Sequence, residues 1–157
     1  MKNEKLQNWA LISEIVGGVA ILITLVLLLL GIQQNTRAIR AATYDDLVAD
    51  LANYNMTLTT DNEIDEIVFQ VSAEGRESLT DRQRFQYMQI NLVRFQLYER
   101  AYIQWIEGNL DDSLWERFKV RICAASGGAD FEEQVGSRLN SVTSQEFTQF
   151  RLNQCSD

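Results

Sequence analysis

Four places in this chain hold residues able to do chemistry: Glu14, Glu99, the cysteines Cys123 and Cys155, and the acidic run Asp61-Asn62-Glu63-Ile64-Asp65-Glu66. A carboxylate works as general acid or base when burial or a second carboxylate moves its pKa. Glu99 falls between Phe95 and Tyr102, partly on the apolar face of a predicted helix. No second acid can be placed beside it from spacing. It is therefore expected to form a buried ion pair, with an arginine such as Arg84, Arg94 or Arg121, or to meet a tyrosine hydroxyl. The acidic run lacks the sixth-position glycine and the closing glutamate of a calcium loop. Two cysteines do not make a zinc site. They pair in an oxidising compartment and stay reduced in the cytoplasm, and two free thiols are the plainer expectation.

Composition narrows the chemistry further. The chain has no histidine, so the usual general base near neutral pH is missing. It has no glycine-rich phosphate loop, no Gly-x-Ser-x-Gly elbow and no Cys-x-x-Cys. No enzyme, cofactor or metal site is expected. Residues 1–42 carry a net charge of +2, and the whole chain carries −8, which leaves −10 on residues 43–157. Such a domain repels phosphates, so no nucleic acid is expected as a partner. Anionic lipid headgroups repel it as well.

The element that positions Glu14 is the most informative part of the chain. From Ile15 to Ile32 no residue is charged, and Thr24 is the only polar side chain. With Trp9 to Ser13 added, the run is long enough to cross ~30 Å of hydrocarbon at ~1.5 Å per residue. The run is too long for a signal peptide, and Gly31-Ile32-Gln33-Gln34 is a poor cleavage site. A retained transmembrane helix over 9–32 is predicted, with membrane lipid around it and Trp9 at one interface.

Ser13, Gly17, Ala20, Thr24, Leu27, Gly31 and Gln34 recur at alternating spacings of four and three, on one helix face. Most are small or hydroxylic, which lets membrane helices approach closely. This face is expected to pack on a copy of itself or on other membrane-protein subunits. The alternative is a pore: Ser13, Thr24 and Gln34 would line it, Leu27 would constrict it and Glu14 would favour cations. Solvation among headgroups is the plain role of Glu14 at the membrane edge.

Nothing breaks the helical pattern from Gln33 to Tyr54, and the chain has no proline. One continuous helix is expected to leave the bilayer, with Leu47, Val48, Leu51, Ala52 and Met56 as its apolar stripe. Asp61 caps a short helix that Gly75 closes. Thr80 caps a long helix from Asp81 to about Glu107, bearing Phe85, Met88, Leu92, Phe95, Tyr98, Tyr102, Trp105 and Ile106 as a core stripe. After a Gly108-Asn109 turn, Asp111 or Asp112 caps a helix with Leu114, Trp115, Phe118, Ile122 and Cys123 inward, ended by Gly127-Gly128. Two short helices follow, near 129–139 and 143–155, and Ser144 with Phe147 to Phe150 suggests a capped, amphipathic last element. The fold class is all-α: a tail over 1–8, a transmembrane helix over 9–32, its helical extension over 33–60 and an acidic helical domain over 61–157.

Ser13-Glu14-Ile15-Val16-Gly17-Gly18 and Gly31-Ile32-Gln33-Gln34-Asn35-Thr36-Arg37-Ala38-Ile39-Arg40-Ala41 resemble the start of a widespread family of small uncharacterised bacterial single-pass membrane proteins. Tyr98-Glu99-Arg100-Ala101-Tyr102, Gly108-Asn109-Leu110-Asp111-Asp112, Trp115 and Gly127-Gly128 extend the resemblance. Family members usually carry proline before the glycine pair, where this chain has Ser126. The resemblance implies a bacterial inner-membrane protein with one anchor and a helical domain, and implies no activity.

Together these features point to a membrane-anchored helical interaction or scaffold protein, a homo-oligomer or an accessory subunit of a larger membrane complex. Lys2 and Lys5 on one side of the span nearly balance Arg37 and Arg40 on the other. The arginines close to the membrane edge tip the expectation slightly towards a cytoplasmic carboxyl-terminal domain.

Overall fold

Good helix formers and the absence of proline let the first helix run very far. In the computed structural model, α1 spans Lys2–Thr60 as one element of 59 residues. The structure describes residues 2–126, 131 and 135–155. Among these there is no strand, and the chain is all-α. Contacts divide it into two compact units, Met1–Ile39 and Arg40–Asp157. Residues 40–60, read from sequence as an extension of the anchor, therefore group with the domain.

The first unit is helix α1 up to Ile39. Among the described residues this is the one helix long and apolar enough to cross a membrane, with an 18-residue stretch of mean hydropathy 3.0, none of it buried. Between Ile15 and Ile32, thirteen large apolar side chains are exposed. At ~1.5–3 kcal/mol for each such side chain left in water, the uncovered surface amounts to tens of kcal/mol. That exceeds the ~5–15 kcal/mol by which a typical domain is stable. The helix is compatible with a membrane anchor.

The second unit starts with the end of α1 and continues through α2 (Asn62–Glu74), a 3-10 turn (Arg76–Ser78), α3 (Asp81–Ile106), α4 (Asp112–Ser126), α5 (Ser137–Val142) and α6 (Gln145–Gln154). The starts follow the expected caps. The Asp61 carboxylate accepts from Glu63 N and Ile64 N. Thr80 and Gln83 form a reciprocal capping box at α3. Asp111 Oδ1 accepts from Ser113 N at 2.8 Å, and Ser144 Oγ accepts from Phe147 N at 3.3 Å. Gly75 and Gly108 take φ of +85° and +75°, which side-chain-bearing residues rarely adopt. The expected Gly127-Gly128 stop lies outside the described residues, as does most of the segment 129–134.

α3 is the central element, in contact with α2, α4 and α5, while α4 also meets α6. Its Phe95 and Ala101 are fully buried and Tyr98 nearly so. Around them close Leu47 from α1, Leu110, Trp115 and Ile122, Phe131, Val135, Leu139 and Phe147. Trp105 and Trp115 stack with ring centroids 4.9 Å apart, and Tyr102 stacks on Phe150 at 5.1 Å. These rings pack on one another as core, not as a ligand cage.

Two stripes differ from expectation. On α1, Val48 and Met56 are exposed at 45% and 61%. Leu47, Leu51, Tyr54 and Leu58 are the residues that turn inward, again at spacings of four, three and four. The expected stripe left out Tyr54 and Leu58, which complete the inward face. On α3, Phe85 and Ile106 at the two ends are exposed, while Asn91 is buried. Asn91 Nδ2 donates to Tyr87 O at 2.7 Å, and its amide oxygen accepts from Arg94, so both ends of the amide are bonded.

Tyr54 supplies a pH test. Burial pushes its phenol up to about 12, with Arg94 pulling the other way. Burial also raises Tyr98. Above the unfolded tyrosine pKa of ~10 the unfolded chain sheds protons that the folded chain keeps. Stability is thus full below that pH and falls as pH climbs towards 12. Denaturant midpoints across this range should drop for the native chain and drop less for Tyr54→Phe. Parallel curves would show that Tyr54 does not titrate late.

Candidate functional site

The face picked out on α1 keeps its pattern in three dimensions. Ser13, Gly17, Ala20, Thr24, Leu27, Gly31 and Gln34 lie on regular helix, within an arc of roughly 100°. All seven are exposed. A Cβ added at Gly17, Gly18 or Gly31 meets nothing within 4 Å. The hydroxyls turn back on their own helix: Ser13 Oγ donates to Trp9 O and Thr24 Oγ1 donates to Ala20 O, each at 2.9 Å. Such back-bonding engages the one donor of each hydroxyl without any partner outside the helix. Glu14 is exposed next to Ser13, one turn past exposed Trp9.

Glu99 has a different role from the one expected. It is half-buried, and its Oε1 accepts from Ser144 N at 2.5 Å. It therefore ties the middle of α3 to the cap residue of α6. Among the described residues it forms no ion pair, because the backbone N–H fills the place assigned to an arginine. Arg94 instead donates to Asn91, and Arg84 Nη2 donates to Glu77 O at 3.3 Å. The buried charge is one that sequence reading missed. Arg151 is 2% exposed, with Nη2 donating to Asn140 Oδ1 at 3.1 Å and its guanidinium over the Phe131 ring at 5.3 Å. Its neighbours along α6, Phe147 and Phe150, were the only hint.

Arg100, directly after Glu99, reaches from α3 to Asp46 and Asp50 on α1. Arg40 Nε donates to Gly108 O at 3.1 Å, joining the start of this unit to the turn between α3 and α4. Among the described residues no three His, Cys, Asp or Glu side chains gather in a way that would hold a metal ion.

Among the described residues, two clefts of the second unit bear on function. One, of about 400 Å³, lies between Tyr54 and Leu58 of α1, Ile64 of α2 and Ile90, Val93 and Leu97 of α3. The other, of about 490 Å³, is lined by Arg76, Glu77, Leu79, Arg84, Phe85, Tyr87, Met88, Val135 and Arg138. Arg76 and Arg84 flank the Thr80 cap, but Arg138 is remote in sequence, so spacing alone does not reveal the group.

Cys123 and Cys155 are joined as a disulfide, with Cα atoms 4.7 Å apart. The expectation of two free thiols is thereby corrected. α4 and α6 pack side by side, and their last turns bring the two residues together. No protein-family model, curated protein or solved structure matches the chain.

The bond spans 32 residues of sequence, and closing a loop of that length is worth about 3–4 kcal/mol by the chain-entropy account. Reduction should therefore lower the denaturant midpoint of the domain clearly. Equal midpoints with and without reductant would show that the two thiols are not bonded in solution.

Proposed function

We propose that this chain is a single-pass membrane protein whose anchor is also its assembly surface. The observation that carries the reading is the exposed face of α1, lined by Ser13, Gly17, Ala20, Thr24, Leu27 and Gly31 and set in an otherwise Ile-, Leu- and Val-rich helix. In hydrocarbon, where lipid tails are as apolar as the helix, association depends on close backbone approach, and small residues allow it. The occupant of the face is a second copy or another membrane subunit, and the acidic domain is the part displayed to water. A single self-complementary stripe suits a cyclic homo-oligomer. The resemblance of Ser13–Ala41 supports a bacterial cell membrane as its site.

The pore alternative has less support. Ser13 and Thr24, two of its three proposed lining residues beside Gln34, already donate to Trp9 O and Ala20 O. Hydroxyls satisfied within the helix suit contact with lipid or with another helix.

The bonded cysteines support a reading of sidedness. Disulfides persist in oxidising compartments and are rare in the cytoplasm. The Cys123–Cys155 bond outweighs the near-tie of flanking charges, so the reading turns from a cytoplasmic to an extracytoplasmic domain.

A Cβ added at Gly17 or Gly31 meets nothing within 4 Å in the chain itself, so a larger side chain starts from open space. Gly17→Leu with Gly31→Leu should leave the fold intact and break the complex extracted from its own membrane into monomers. An unchanged mass would contradict packing along this face. Protease added to spheroplasts, whose inner membrane is intact and outer layer opened, should cleave the domain and spare the anchor; protection until the inner membrane is breached would place the domain in the cytoplasm.

A further inference from the structure

The cleft of about 400 Å³ between α1, α2 and α3 is unusual in this acidic domain, because its lining offers no free charge. Residues 43–157 carry −10, yet Asp50 is the one charged residue that lines it. Asp50 is engaged by Arg100. Arg100 also lies 3.6 Å from Asp46, which does not line the cleft and whose side chain is 67% exposed to water. Glu63, beside Ile64, accepts from Gln86 Nε2 at 2.8 Å and stays outside the lining. Arg94, near Tyr54, donates to Asn91 and stays outside it as well. An ion entering the cleft would shed water and meet no free counter-charge.

Five aliphatic side chains line the cleft: Leu58, Ile64, Ile90, Val93 and Leu97. Val93 is exposed at 48%, and the other four are half-buried. Polar groups edge them. The carboxamides of Asn53 on α1 and Gln89 on α3 belong to exposed residues and have no hydrogen-bond partner among the described residues. Tyr54 Oη reaches Ile90 O at 3.5 Å, the outer limit of a hydrogen bond, so the phenol is free to turn to a better acceptor. A protein partner needs ~20–30 residues of each surface, and five aliphatic residues broken up by polar ones fall far short. The volume, by contrast, lies in the range of ~300–1,000 Å³ typical of small-molecule sites. An apolar lining with a few polar groups that fix orientation is the usual make-up of such sites.

We propose that this cleft binds a small uncharged amphiphile taken up from water, of the class of medium-chain amides, esters and alcohols. Its aliphatic body covers Leu58, Ile64, Ile90, Val93 and Leu97, and its polar head lies between the carboxamides of Asn53 and Gln89. A carboxamide both donates and accepts, so it suits a carbonyl or hydroxyl head without requiring a charge. The site belongs to the second unit alone and does not depend on assembly through α1.

Ile64 and Ile90 line the cleft, while Ile122 is fully buried on α4 and does not. The full chain, labelled with ¹³C at the isoleucine δ1 methyls, is placed in phosphatidylcholine nanodiscs. Hexanamide, hexanoate and hexylammonium are each added by dialysis, which fixes the free concentration. Hexanamide should move the Ile64 and Ile90 resonances with a midpoint of about 1 mM or below and leave Ile122 in place. The two ions should bind about tenfold more weakly or worse. Val93→Asp puts a charge at an exposed position and should weaken hexanamide by about tenfold or more, with the Ile122 resonance reporting an intact core. Asn53→Ala with Gln89→Ala should weaken it by about threefold or more. Hexanoate or hexylammonium matching hexanamide would overturn the proposal. So would Ile64 and Ile90 resonances that hexanamide does not move, or full affinity in either variant. Shifts that follow protein concentration without any probe would put a second copy of the chain on the cleft and overturn it too.

Discussion

Hydrocarbon offers no hydrogen-bond partner to a peptide group, and α1 is built to need none. From Lys2 to Thr60 its backbone is regular helix, so each interior N–H meets a carbonyl four residues back. The hydroxyls of Ser13 and Thr24 obey the same rule by donating to Trp9 O and Ala20 O. Satisfying the main chain internally frees the side chains, and these are almost uniformly aliphatic from Ile15 to Ile32. On the proposed reading, what remains for the surface to decide is how closely another helix can approach, and Gly17, Ala20 and Gly31 set that limit.

The acidic domain solves the opposite problem, because it has to stay in water with a small core. Its solution is concentration. α3 carries the buried set of Phe95, Tyr98 and Ala101, and α1, α4, α5 and α6 each add one or a few large side chains to it. Polar tethers then fix the periphery: Arg100 to Asp46 and Asp50, Glu99 to Ser144 N, Arg40 to Gly108 O. Exposed charge pairs of this kind contribute ~1 kcal/mol or less each. Their value lies in orientation, while the disulfide closes the last helix onto α4.

Much of this was legible in the chain. The apolar run, the caps at Asp61, Thr80, Asp111 and Ser144 and the turns at Gly75 and Gly108 are local signals, set by residues within one turn of each other. Where reading failed, the determinant was distant. Glu99 looked like half of an ion pair because its true partner, the backbone N–H of Ser144, is a group every residue owns. Arg151 carried no signal of burial in the sequence, because its cover, Phe131 and Asn140, comes from other elements. The inward face of α1 takes in Tyr54 and Leu58 instead of Val48 and Met56, and the Tyr54 hydroxyl donates to Ile90 O of α3 at 3.5 Å, a contact set by tertiary packing. The arginine-lined cleft and the bonding of Cys123 to Cys155 depend on tertiary closure, which no spacing encodes.

The stacked indoles have an optical consequence. Trp105 and Trp115 lie 4.9 Å apart with planes inclined by only 12°, close enough for their transitions to couple. Coupled indoles give a paired circular-dichroism band that vanishes when the rings separate. The third tryptophan, Trp9, belongs to the other unit and emits according to the polarity around it. The chain therefore carries two independent spectroscopic reporters, one for the integrity of the domain core and one for the surroundings of the anchor.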